Sequence, residues 1–365
     1  MQGVEPTANS EAPKPSVLKK IAGIVLRGGV SGGIIFYIFW KMQREKIESL
    51  GGRSELDVFW EQLTGAHLVW IAATIGCFGL TCLMGIARWH FLLGVQGLKL
   101  GWVRTGQIFF VGHFFNSFML GGTGGDVVKA TYAAKETHSR KAEAVMTVFL
   151  DRLIGMIGLV ATTFIMMAFN WQFVVRPEVL PYTATVGGLL VIIIIAFVVA
   201  VIPGAGRGIP FAEKFLKKFK LYEQVEKMVR AYRVYTGHKK VIAWTLLLSL
   251  GIHFTLILAG LCLAQAVDIG WSEISVGKYF LLVPIINCVT ALPITIAGLG
   301  LREKMYMDLF KLAAPVGASE EILSVIGTKA VAMSLLTYGT LLFWSLFGAV
   351  VFLAYKHRAH HERLE

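Results

Sequence analysis

Asp151 and Arg152 stand side by side at the start of a long apolar run, Lys329 sits a quarter of the way into another, and Asp126 closes the stretch Met119-Leu-Gly-Gly-Thr-Gly-Gly-Asp126. An ionised side chain at the centre of a bilayer costs at least about 2.5–3.5 kcal/mol unless it is paired or hydrated. Such residues therefore either pair across helices or meet a polar substrate in a wet cavity, and both readings stay open for Asp151, Arg152 and Lys329. Arg27 and Arg88 lie nearer the ends of apolar runs. They either snorkel to the inner interface, with Trp89 as a belt residue, or meet the substrate, Arg88 as a secondary site residue. Asp126 has two roles open to it: a helix cap, for which Asn or Ser would serve equally, or a charged partner of a cation.

The glycines around Asp126 supply the other half of the chemistry. Gly121, Gly122, Gly124 and Gly125 make a turn that is sterically cheap, and the helix that follows it carries Lys129. Backbone N–H groups and the positive end of a helix dipole then face a cavity, which suits a phosphate or carboxylate. Gly124 or Gly125 is expected to adopt φ > 0 or to let those amides approach a headgroup. A second glycine turn, Pro293-Ile-Thr-Ile-Ala-Gly-Leu-Gly-Leu-Arg302-Glu303, carries Gly298, Gly300, Arg302 and Glu303. His113 and Asn116 share a helix face three residues apart, and Asn287 sits in the second run. Each is either a substrate contact or polar glue between helices. His253 reads as a core histidine.

These residues belong to a chain built for lipid. Of 365 residues 55% are hydrophobic and 16% charged, and the mean hydropathy is +0.65. Six stretches are long enough to span: Ile21 to Trp40, Leu68 to Ala87, Ala144 to Phe169, Thr183 to Ile202, Val241 to Val267 and Ile322 to Tyr355. The runs Ile108 to Leu120 and Phe280 to Leu292 hold 13 residues each, too few for a core about 30 Å thick, and read as re-entrant. Residues 203–240 carry ten Lys and Arg against three Glu, which places this loop inside, together with both termini. Its aromatic and aliphatic residues recur every three or four positions. That pattern is a basic amphipathic helix on the inner leaflet or on the protein's own cytoplasmic face.

Setting Gly122-Thr-Gly124 on Gly298-Leu-Gly300 gives an offset of 176 and two halves of one plan, the first beginning outside and the second inside. The expected fold is all-α and polytopic, with about six spanning helices plus two re-entrant helices in two inverted repeats. The organisation is a disordered cytoplasmic leader (1–16), a first helix and external amphipathic segment (17–64), and a first repeat (65–202) with re-entrant run 106–122. The cytoplasmic helix (203–240), a second repeat (241–355) with re-entrant run 279–300, and a cytoplasmic tail (356–365) follow.

Several functions drop out. HExxH does not occur, no Walker A sequence is present, and Cys77, Cys82, Cys262 and Cys288 lie in apolar stretches without metal-ligand spacing. Neither a cofactor nor a metal is expected, and the net charge of +12 suits cytoplasmic loops better than nucleic acid.

The stretch Ile86-Ala-Arg-Trp-His-Phe-Leu-Leu93, then Gly112-His-Phe-Phe-Asn116, Gly121-Gly-Thr-Gly-Gly-Asp126, Asp151-Arg-Leu-Ile-Gly155, Leu292-Pro293 and Gly298-Leu-Gly-Leu-Arg-Glu303 resemble the flippase-like membrane region of lysylphosphatidylglycerol synthase and its stand-alone relatives. The resemblance covers roughly residues 55 to 355. It implies a bacterial or archaeal membrane protein that moves or presents a lipid such as an aminoacylated phospholipid or polyprenyl-linked glycan. With no soluble aminoacyl-transferring domain before Glu365, aminoacyl transfer is not expected. The headgroup is expected in a cavity lined by Asp126, Lys129, Asp151, Arg152, Arg302, Glu303 and Lys329, in the inner membrane. The alternative is a membrane subunit that binds lipid and scaffolds a separate glycosyl- or aminoacyl-transferase. Membrane lipids, and that enzyme in the second case, are the expected partners.

Overall fold

A computed structural model describes residues 17–48, 51–118, 124–137, 140–188, 191, 234–235, 237–292, 295 and 298–361. Helix α1 (Val17–Arg44) leads to a two-residue antiparallel ladder, β1 (Lys46–Ile47) with β2 (Arg53–Ser54), and to α2 (Glu55–Thr64). The start of α2 is set by a capping box: Asp57 donates its amide to Ser54 Oγ, and its carboxylate accepts the Ser54 amide, each at 3.1 Å.

Among the described residues, four helices are long and apolar enough to cross a membrane. They are α3 (Leu68–Val95), α6 (Lys141–Phe169, its span beginning at Glu143), α8 (Lys239–Ala266) and the span Glu320–Ala354 of α11 (Glu320–His361). α11 is one continuous helix of 42 residues, so Ile322 to Tyr355 is a single segment. The expected span Ile21 to Trp40 lies within α1, and Thr183 to Ile202 runs out of the described residues, as do most of the 203–240 helix and the leader. α7 (Trp171–Val174) is one turn at the end of α6.

Both short runs form short helices. α4 (Trp102–Phe118) has 17 residues and α9 (Val276–Thr290) has 15, which at about 1.5 Å per residue leaves each short of a core about 30 Å thick. Each turns into a 13-residue helix, α5 (Gly124–Glu136) or α10 (Leu301–Ala313), that packs back on it.

The packing is reciprocal. α3 lies antiparallel to α8, with His67 N–H donating to the Ala266 carbonyl at one end and Arg88 Nη1 to Ser249 Oγ nearer the other. α4 packs on α11 where α9 packs on α6, and α5 packs on α6 where α10 packs on α11. Exchanging α3 with α8, α4 with α9, α5 with α10 and α6 with α11 maps these helix contacts onto one another. The largest buried cluster is centred on Tyr279, Leu282 and Ile286 of α9, Met305, Tyr306 and Phe310 of α10, and Ile326, Ala330 and Met333 of α11, and it extends to Leu159 and Val160 of α6 and Phe59 of α2.

Candidate functional site

A cavity of about 1140 Å³ runs between α5, α6, the end of α4, the turn after α9 and α11. Along most of its length the wall is apolar, with Val127, Ala130, Ala134, Val145, Val148, Phe149 and Leu341. His113, Asn116, Asp126 and Arg152 make one end polar. A smaller space of about 300 Å³ shares those four residues and continues to Arg88, Lys129, Asp151 and His253.

Helix spacing creates the charged end. Asp126 and Lys129 fall three residues apart on α5, and both reach α6. Arg152 Nε donates to Asp126 Oδ2, while Lys129 Nζ donates to Asp151 Oδ2 at 2.9 Å. Asp151 also accepts Arg88 Nε at 2.8 Å, so one buried carboxylate holds cations from two other helices. Lys129 is only 5% exposed and rests over the Trp89 ring at 4.0 Å, and the Trp89 indole N–H donates to Thr147 Oγ1 at 3.1 Å. Three cations against two carboxylates leave this region one positive charge in excess, a setting that favours an anion.

Arg88 corrects the sequence expectation. It does not reach for the interface; its side chain is 11% exposed and bonded to Asp151 and Ser249. The reason is local: partners on α6 and α8 satisfy the guanidinium where it stands. Trp89 is fully buried and is no belt residue.

Asn116 does what Asp126 was a candidate to do. Its Oδ1 accepts the Gly125 amide at 2.9 Å, capping α5, while its Nδ2 stands 3.4 Å from Asp126 Oδ1. Gly125 does not take a positive φ. The need at Gly125 is helix contact, because a β-carbon there would collide with the Gly112 carbonyl oxygen and lie 2.6 Å from the Asn116 amide. Gly121 and Gly122 lie outside the described residues.

The second turn behaves differently. Gly298 (φ +79) and Gly300 (φ +83) both need the left-handed region, and Gly298 lines the cavity. Arg302 and Glu303 lie behind this wall, 7% and 2% exposed. Arg302 Nε donates to Ser334 Oγ at 3.1 Å, Ser334 Oγ donates to Glu303 Oε1 at 2.9 Å, and Glu303 Oε2 accepts the Gly300 amide at 2.6 Å. Lys329 is elsewhere: its Nζ donates to the Asp268 carbonyl at 2.5 Å and stands 3.7 Å from Glu273, holding the turn at the end of α8. Asp268 has φ +53, and the lysine fixes that conformation. Asn287 is half-buried on α9 and lines neither cavity. The structure thus gathers His113, Asn116, Asp126, Lys129, Asp151, Arg152, Arg88 and Gly298, and leaves Arg302, Glu303, Lys329 and Asn287 outside. His253, read from sequence as a core residue, joins the smaller space. Its Nε2 donates to the Gly155 carbonyl at 3.2 Å, while its Nδ1 and His113 Nε2 are buried without a hydrogen-bond partner among the described residues.

Residues 24–343 match the family described as the lysylphosphatidylglycerol synthase TM region. The chain belongs to that family and is a multi-pass membrane protein. No curated protein and no solved structure matches it.

Proposed function

We propose that this member of the lysylphosphatidylglycerol synthase TM region family carries a lipid with a polar, phosphate-bearing headgroup across the cytoplasmic membrane, leaving it covalently unchanged. One observation carries the reading: a cavity large enough for a headgroup and the first part of its chains, apolar along its length, ends at Asp126 and Arg152 with Lys129, Asp151 and Arg88 behind them. Lysine and arginine at a dry site bind phosphate strongly because little solvent screens them. The phosphate exchanges into the Asp126–Arg152 pair, whose arginine side chain is 45% exposed, while the buried Lys129–Asp151–Arg88 trio keeps the surroundings positive. Acyl chains follow the apolar wall toward lipid.

The reciprocal helix contacts support two inverted repeats, and the length of the α4 and α9 helices supports re-entrant hairpins entering from opposite faces. With positive loops inside, both termini are cytoplasmic, and the cavity, which runs from mid-membrane toward Lys135, opens to the cytoplasm. An ion gradient or downhill lipid flux supplies the energy.

Mass spectrometry of lipids co-purified with the protein tests the substrate class. Phosphate-headgroup lipids should be enriched on the wild type and depleted on Arg152→Gln; equal enrichment on both would remove the headgroup from this cavity. Enrichment without translocation by the purified protein would favour a lipid-binding scaffold for a separate transferase.

A further inference from the structure

Two imidazoles stand at the charged end of the cavity. His253 of α8 lines only the smaller space, whereas His113 of α4 lines both, so it is shared by the open cavity and by the space that holds the Lys129–Asp151–Arg88 trio. The His113 ring lies parallel to that of Phe109, with centroids 6.4 Å apart, and its Nε2 is buried with no hydrogen-bond partner among the described residues. A buried polar atom left unpaired is costly, and at a cavity wall that cost is offset by a ligand that pairs with it.

The charges around His113 decide what such a ligand brings. Facing the two spaces, α3 contributes Arg88, α5 contributes Asp126 and Lys129, and α6 contributes Asp151 and Arg152, while Lys135 of α5 stands at the far end of the open cavity. Among the described residues α8 adds one titratable group, His253, and α9 and α11 add no charged side chain to either lining. Three cations against two carboxylates leave one positive charge in excess, which opposes adding a proton to the imidazole while the site is empty. A phosphate diester carries one negative charge. Bound at Arg152, it cancels the excess and offers oxygens that accept an N–H, so headgroup and proton favour one another.

Taking the lipid-carrying reading as given, we propose that His113 binds one proton together with each phosphate headgroup, so that lipid and proton cross as one electrically neutral cargo. The proton leaves water on the side where the lipid loads and bonds to Nε2 of the neutral imidazole. The new N–H donates to a phosphate oxygen, and on release the proton returns to water on the other side; no other bond forms or breaks. The loaded site has the same net charge as the empty one, so the membrane potential does no work on the crossing. A proton gradient does, and it drives lipid toward the less acidic side.

The test uses the purified full chain in phosphatidylcholine vesicles holding a small share of acyl-labelled phosphatidylglycerol, with potassium and valinomycin setting the membrane potential to zero. With the interior about one pH unit more alkaline, the label should gather in the inner leaflet toward about a ten-fold ratio, well beyond protein-free vesicles over the same time. Bleaching the outer leaflet with an impermeant reductant reads that ratio, and a potential applied alone should leave it even. An even distribution under the pH gradient in vesicles that translocate lipid, or a shift driven by the potential alone, overturns the proposal. In lightly buffered detergent, the wild-type chain should take up about one proton for each phosphatidylglycerol bound, and His113→Gln none. Lipid binding without proton uptake by the wild type, or undiminished uptake by His113→Gln, overturns the proposal too. Proton uptake in a chain that moves no lipid in vesicles keeps the proton–headgroup site while the carrier reading falls. Nitrogen NMR of the histidine-labelled wild type covers misfolding of the variant: one imidazole should pass from neutral to protonated on adding phosphatidylglycerol, and none doing so contradicts the proposal.

Discussion

At the residue scale, the centre of the molecule is Asp151, a carboxylate 6% exposed that accepts both Arg88 and Lys129. Removing its charge strands two buried cations. Asp151→Asn should therefore lower stability by about 3–5 kcal/mol, read as the loss of a folded peak in detergent chromatography and a fall in Tm. Arg152→Gln should leave both near wild type, because that side chain is 45% exposed. If Asp151→Asn is as stable as the wild type, the trio is not the structural anchor described. Asp126, Lys129, Asp151 and Arg152 could be read from the sequence because charge is rare in apolar runs and the three-residue spacing of Asp126 and Lys129 puts them on one helix face. The partner of Arg88 could not, since it depends on how α3, α6 and α8 register against each other, and nothing local encodes that.

At the element scale, the two short helices and their glycine turns were legible from length and composition, and each became one arm of a helix–turn–helix hairpin. What the glycines do was not. In the first hairpin Gly125 lets α5 touch the α4 backbone at Gly112, a packing demand that a lone sequence does not distinguish from a turn demand. Gly125→Ala should thus separate α4 from α5 and cost about 1–3 kcal/mol, with Asn116 losing its amide contact. Gly300→Ala should cost a similar amount for a different reason: a positive φ, and a β-carbon 2.9 Å from the Ser31 carbonyl of α1. Thermal melts of the two variants check this, and an unchanged Tm for Gly125→Ala would show that the hairpin arms are not held in contact there.

At the scale of the whole molecule, two halves exchange their helix contacts, and the cavity beside α5 and α6 is closed by α11 and the turn after α9. The relation between the halves was visible as two glycine turns at one offset. Its asymmetry was not, because whether matched positions enclose space or side chains depends on the state of the fold and not on residue type: Ala134 and Phe310 are both apolar, yet one lines the cavity and the other is buried. The sequence expectation of one cavity ringed by charges from both halves gives way to a charged end built by α3, α5 and α6, with Arg302, Glu303 and Lys329 outside it. The most direct measurement of lipid carriage uses the purified protein alone in vesicles containing acyl-labelled phosphatidylglycerol, with the outer-leaflet label bleached by an impermeant reductant over time. Vesicles with the wild-type chain should lose inner-leaflet label faster than protein-free vesicles, and those with Arg152→Gln should match the protein-free rate. Loss of label at the same rate with Arg152→Gln as with the wild type, or no loss beyond protein-free vesicles for the wild type, would contradict carriage through this cavity.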